Sequence, residues 1–235
     1  MTDTATKTAR RTFLSRLGFG AAVIGAGLGA GLAAAPPAAA QTKAAFKPRR
    51  HPEDGWMDTP NVAHRVVVDS ASPASGGAAL LYANNTFAAN KAGYGLETGD
   101  IAIIVVLRHL STPFAYTDAI WAKYGAAFSN VLDFKDPTTG QAPTTNLYNS
   151  GTAGRSLTNM GVTIPSLVSR NVQFAVCGSA TRFMANAVAQ AANGDADAIY
   201  KELTENLIPN AHLMAAGVVA VNRAQEYGYT LLTAT

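Results

Sequence analysis

Three side chains able to do covalent or charge chemistry sit where short apolar runs end. Cys177, the one cysteine among 235 residues, closes the run Val172-Gln173-Phe174-Ala175-Val176, and Arg108 and His109 directly follow the run 101–107. In open parallel α/β sheets, ligands bind at the carboxyl ends of the strands, where connections diverge and helix N-termini point inward. A thiol at such a place faces unpaired backbone N–H groups and the positive end of a helix dipole, both of which favour thiolate over thiol. An ordinary cysteine has a pKa of about 8.5, so lowering it to about 7 leaves roughly half of it ionised at neutral pH. The product is a nucleophile for sulfur chemistry. If the two strands are neighbours, His109 or Arg108 stabilises the thiolate or holds an anionic group. Gly178 and Ser179, which leave the cysteine, would then line the same crevice with Arg108 against a substrate. Each residue also has a plainer reading. Most free cysteines are small apolar residues buried at the end of an element, and His109 reads as well as a histidine satisfied within the fold.

The elements that must position these residues follow from periodicity. Val66-Val67-Val68 predicts a strand core, and 101–107 (Ile-Ala-Ile-Ile-Val-Val-Leu) predicts the central strand, apolar without interruption as a strand covered on both faces should be. Strands are also expected at 172–177 and 212–215, with an edge strand at 229–232. Between them, amphipathic stretches predict helices over 76–91, 116–124, 156–160, 165–169, 180–191, 195–207 and 218–227. In the helix after Cys177, Ala180, Phe183, Met184, Ala187, Val188 and Ala191 recur at helical spacing, which predicts the face packed on the sheet. Gly178-Ser179 reads as a tight exit between that strand and helix. Tyr116, Trp121 and Tyr124 are expected to pack in the core and at its rim. Short apolar runs alternating with longer amphipathic ones imply βαβ units, a mainly parallel sheet and helices on both faces. The stretch 133–155, rich in Asp, Thr, Pro, Gly and Asn, predicts a long surface loop, read either as a binding lid or as a neutral insertion. Residues 41–60, polar and Pro-containing, predict an extended lead-in whose Arg49-Arg50-His51 cluster is solvated, and 61–235 predict one α/β domain.

Other chemistries find no support in the pattern. Ser179 lies outside any Gly-x-Ser-x-Gly elbow. No Gly-Lys-Ser/Thr phosphate loop occurs, and Gly27-Leu28-Gly29-Ala30-Gly31 follows no strand. His51, His64 and His212 lie on separate elements without metal-ligand spacing, so neither a metal nor a cofactor is expected.

The N-terminal forty residues set the compartment. A basic stretch with Lys7, Arg10, Arg11 and Arg16 precedes an apolar Gly/Ala-rich run over 17–35 and then Ala38-Ala39-Ala40. Residues Ala9-Arg10-Arg11-Thr12-Phe13-Leu14-Ser15 are similar to the twin-arginine translocation motif. The run is close to the roughly 20 residues needed to span a bilayer, but its six glycines at 18, 20, 25, 27, 29 and 31 weaken a membrane helix. Residues 1–40 are therefore expected to be a signal peptide, cut before Gln41, and the product to be periplasmic or otherwise extracytoplasmic, exported folded by the twin-arginine pathway. Cleavage takes four of the 18 Lys+Arg and one of the 15 Asp+Glu, leaving 14 of each. A chain with no net charge offers no field for nucleic acid or a membrane surface, and neither partner is expected. A single cysteine also excludes an intramolecular disulfide.

The C-terminal part resembles the DsrE/DsrF-like family of sulfur-relay proteins. The residues that carry the resemblance are Asn171-Val172-Gln173-Phe174-Ala175-Val176-Cys177-Gly178-Ser179-Ala180, Leu207-Ile208-Pro209, and Ala216-Gly217-Val218 through Gln225-Glu226-Tyr227-Gly228-Tyr229; 101–107 with His109 is similar to the family's second strand and its polar exit. The likeness covers residues 64–232. It implies a three-layer fold with a five-stranded, mainly parallel sheet, homo-oligomers, and a persulfide carried on Cys177 and handed between a sulfur donor and an acceptor protein. The expectation is an exported sulfur carrier or sulfurtransferase using Cys177 and His109; the alternative is a non-catalytic module of the same fold that binds a small anion or a partner segment.

Overall fold

The expected twin-arginine signal and its cleavage point lie outside the described residues, which in this computed structural model are 46–235. Within the unit Lys47–Thr235, five strands form one sheet: β1 (His64–Ser70), β2 (Ile101–Leu107), β3 (Gln173–Cys177), β4 (Ala211–Met214) and β5 (Thr230–Thr233). Their order is β4-β3-β2-β1-β5, and every pair is parallel. The run 101–107 is the middle strand and is buried at all seven positions, as its unbroken apolar sequence requires. Register brings the carboxyl ends level. Ser70 pairs with Leu107, Leu107 with Val176, and Cys177 with Met214.

Six helices complete the layers: α1 (Pro73–Tyr94), α2 (Asp118–Leu132), α3 (Ile164–Val168), α4 (Gly178–Ala192), α5 (Ala196–Glu205) and α6 (Gly217–Glu226). Strand residues alternate between faces, so Val68, Ile103, Val105, Phe174 and Val176 join a core with α1 to α5. Val67, Ile104, Val106 and Ala175 face the other way, onto Ala220 and Ala224 of α6. The result is a three-layer α/β fold with one thick and one thin helical layer. No helix among the described residues is long and apolar enough to cross a membrane.

Several sequence expectations need correction. The lead-in is not merely extended. Pro52–Met57 form a 3-10 turn, Met57 is completely buried in the thin-layer core, and Arg50 lies 3.6 Å from the ring centre of Tyr227. Two adjacent apolar residues, Trp56 and Met57, among polar ones give no periodic signal, yet they pack on the thin-layer core beside α6. No α-helix forms over 156–160; a 3-10 turn at Gly154–Ser156 and a left-handed Met160 (φ 51) occupy that stretch. The helix expected at 116–124 runs instead over α2.

The segment 133–155 is irregular as expected, but it is not simply a surface loop. Asn146, Leu147 and Tyr148 are buried. Asn146 Nδ2 donates to the carbonyls of Phe114 (2.8 Å) and Tyr116 (3.0 Å), and Tyr148 Oη donates to Pro73 O at 2.7 Å. Its polar side chains thus bond the backbone at the end of the 3-10 segment His109–Ala115 and at the start of α1, tying both to the segment. Burial of the phenol pushes the Tyr148 pKa up to about 12, against hydrogen bonds that pull it down.

Candidate functional site

No loop separates β3 from α4. Cys177 is the last strand residue and also the N-cap of the helix, with extended backbone (φ −78, ψ 106). Its Sγ takes the place that a Ser or Asp oxygen usually fills, accepting the Ala180 N–H at 3.3 Å. Such a bond strengthens when the acceptor is charged. The backbone at this point is held from below. Tyr116 Oη donates to Thr181 Oγ1, and Thr181 Oγ1 donates to the Cys177 carbonyl, each at 3.0 Å. Burial raises the Tyr116 pKa far above its ordinary 10.0, with the nearby Cys177 and Tyr200 also raising it, so this phenol stays a neutral donor.

The connection from β3 leads into the thick layer and that from β4 into the thin one. Between these diverging ends lies the switch point at which α/β sheets bind ligands. A cavity of about 400 Å³ opens there. Arg108, His109, Cys177 and Ser179 line it, together with the apolar Ala180, Phe183, Ala216 and Val218. Cys177 is 6% exposed, and Phe183 is 52% exposed. Phe183 thus faces out at the rim rather than into the sheet. The buried face of α4 is turned toward Gly178, Thr181, Met184, Ala185 and Val188. The small polar residues that line it are invisible to an apolar periodicity.

Arg108 is not free to hold a ligand with its whole guanidinium. Its Nε donates to Asp69 Oδ1 at 2.7 Å and its Nη2 to Oδ2 at 2.8 Å, a bidentate pair across β1 and β2. The Asp69 hydrogen bond is the main reason that the Arg108 pKa is raised above its ordinary value; burial opposes it, and the charges of Asp69 and Cys177 reinforce it. Gly217, at the start of α6, allows this arrangement. A Cβ there would stand 2.3 Å from the Arg108 Cβ, so only glycine lets the helix rest on the arginine stem. A Cβ on Gly178 would lie 2.8 Å from the Met214 carbonyl, which accounts for glycine where α4 crosses the end of β4. Ser179 donates both its N–H (3.2 Å) and its hydroxyl (3.0 Å) to Ala215 O, and so pins α4 to the exit of β4.

His109 is exposed, has left-handed backbone (φ 53), and its ring has no hydrogen-bond partner among the described residues. It is not a histidine satisfied within the fold. The structure therefore brings Arg108, His109, Cys177 and Ser179 to one crevice, leaves the expected Gly178 buried against the end of β4 and outside the cavity lining, and adds Asp69, Phe183 and Gly217, which sequence reasoning missed. Asp69 carried one legible sign: an acid ending the run Val66-Val67-Val68 at a strand's carboxyl end. Among the described residues, no three His, Cys, Asp or Glu side chains gather to hold a metal ion. His212 instead stacks on Trp56, ring centres 4.0 Å apart.

The chain matches no protein-family model and no curated protein.

Proposed function

We propose that this chain is an exported sulfur carrier of the DsrE type, with Cys177 as the persulfide site. The observation that supports it is the placing of the only thiol as the N-cap of α4, with Sγ on the Ala180 N–H and a cavity of about 400 Å³ beside it. A thiolate in that position attacks the outer sulfur of a donor persulfide R–S–SH. A new S–S bond forms on Cys177, the donor's S–S bond breaks, and RS⁻ leaves and takes up a proton. The total oxidation level of the sulfur does not change, so no redox cofactor is required. His109 stands at the cavity wall, where it can protonate the leaving thiolate.

The same cavity is lined largely by Ala180, Phe183, Ala216 and Val218, which supports the second reading, a binding module in which the thiol takes no part. Intact mass separates the two. After exposure of the protein cut before Gln41 to an alkyl persulfide, the carrier gains one sulfur, about 32 Da, reversed by dithiothreitol and absent in Cys177→Ser. A protein that gains no sulfur, or gains it equally in Cys177→Ser, is not the carrier.

A further inference from the structure

We infer that the cavity beside Cys177 selects uncharged reaction partners for the thiol, and that Asp69 sets this preference. The inference rests on the sulfur-carrier reading for the use of the site and names the class of donor: a neutral, apolar-flanked persulfide, in preference to a dianion such as thiosulfate.

Arg108 is the one arginine or lysine that lines the cavity, and Asp69 engages two of its guanidinium nitrogens. Asp69 is itself buried, so this compensation is poorly screened by solvent. The pair brings no net charge. The positive potential that remains comes from the first turns of α4 and α6, and Ala216 provides no side-chain cap for the latter. A helix end is equivalent to about half a unit charge. Two such ends balance one negative sulfur and leave nothing for a second anion. The Ser179 hydroxyl is spent on Ala215 O. Apart from the His109 ring and the outer edge of Arg108, what remains for a ligand to touch is apolar, with Phe183 and Val218 on the rim 52% and 62% exposed.

Asp69 is thus a positioning residue that acts through Arg108, and alkylation of the single thiol reads its effect directly. With iodoacetamide or iodoacetate, Cys177 Sγ forms an S–C bond and iodide leaves; the two reagents differ in charge and hardly in size. The wild-type protein should favour iodoacetamide over iodoacetate more strongly than a small neutral thiol does, and thiosulfate should load sulfur more slowly than a neutral alkyl persulfide. Asp69→Asn leaves the Arg108 charge uncompensated and should lower the iodoacetamide-to-iodoacetate ratio roughly five-fold, an effect that weakens with added salt. Asp69→Glu keeps the charge and should keep the ratio. An unchanged ratio in folded Asp69→Asn overturns the inference. Should that variant not fold, a wild-type ratio at or below that of the free thiol overturns it equally. A thiol inert to both reagents removes the sulfur-carrier reading and this inference with it, whereas a reactive thiol without charge preference removes the inference alone.

Discussion

His109 holds a left-handed backbone at φ 53, a conformation that costs an L-residue other than glycine roughly 1–2 kcal/mol. It sits at the end of the central strand, beside the cavity, with no hydrogen bond to its ring that would offset the strain. Strain of this kind gathers where a side chain has to be aimed rather than packed. The proposed role of the imidazole therefore makes stability and function move in opposite directions. His109→Gly should raise stability by about 0.5–1 kcal/mol, the relief of strain exceeding the entropy glycine adds to the unfolded chain. The same variant should slow sulfur loading of Cys177, and His109→Asn, which tolerates the left-handed backbone, should slow loading without the gain. Thermal denaturation and intact-mass time courses measure the two effects. A His109→Gly protein that loads at the wild-type rate shows that the imidazole takes no part.

Among the elements, the lead-in is held to the sheet by a contact that depends on pH. Trp56 stacks on His212 of β4 with the rings 3° from parallel, and His212 Nε2 donates to Gln173 Oε1 at 2.9 Å. Burial lowers the His212 pKa below its ordinary 6.5. An imidazolium would be drawn to the indole face, but removing the charge from water outweighs that attraction. The folded state then binds this proton less readily than the unfolded chain, so its contribution to stability is present above 6.5 and is lost as pH falls through the lower folded value. Between about pH 7.5 and pH 5.5, the wild-type Tm should fall by more than that of His212→Gln, which cannot titrate; parallel curves for the two proteins would refute the account. Such contacts also mark the limit of legibility. β2 and β3 could be read because continuous apolar runs announce buried parallel strands, and Cys177 could be placed at a strand end for the same reason. The Trp56 contact, buried Met57 and the Asn146 and Tyr148 anchors could not, since each depends on one side chain meeting a distant backbone or ring. The Asp69–Arg108 pair needed the register of β1 on β2, which periodicity does not supply.

At the scale of the whole molecule, the sheet topology bears on the proposed export. β5, last of the strands in the chain, pairs only with β1, the first, and the Ala234 N–H donates to the Asp69 carbonyl at 2.9 Å. The strand that carries Asp69, already paired with β2, thus takes its second neighbour from a segment far along the chain. The pairing of β5 on β1 joins residues distant in sequence, and such contacts form slowly. Nothing in this folding waits for an oxidising compartment, because the chain has one cysteine and no disulfide to make. A protein of this kind suits export as a folded body, which is what paired arginines at 10 and 11 propose. In a bacterium with twin-arginine transport, the full chain should yield a periplasmic product beginning at Gln41. Arg10→Lys combined with Arg11→Lys should leave the precursor in the cytoplasm, full length and folded, with Cys177 as reactive as in the exported form. Periplasmic product from the double variant at the wild-type level would show that the chain travels by another route, independent of the paired arginines.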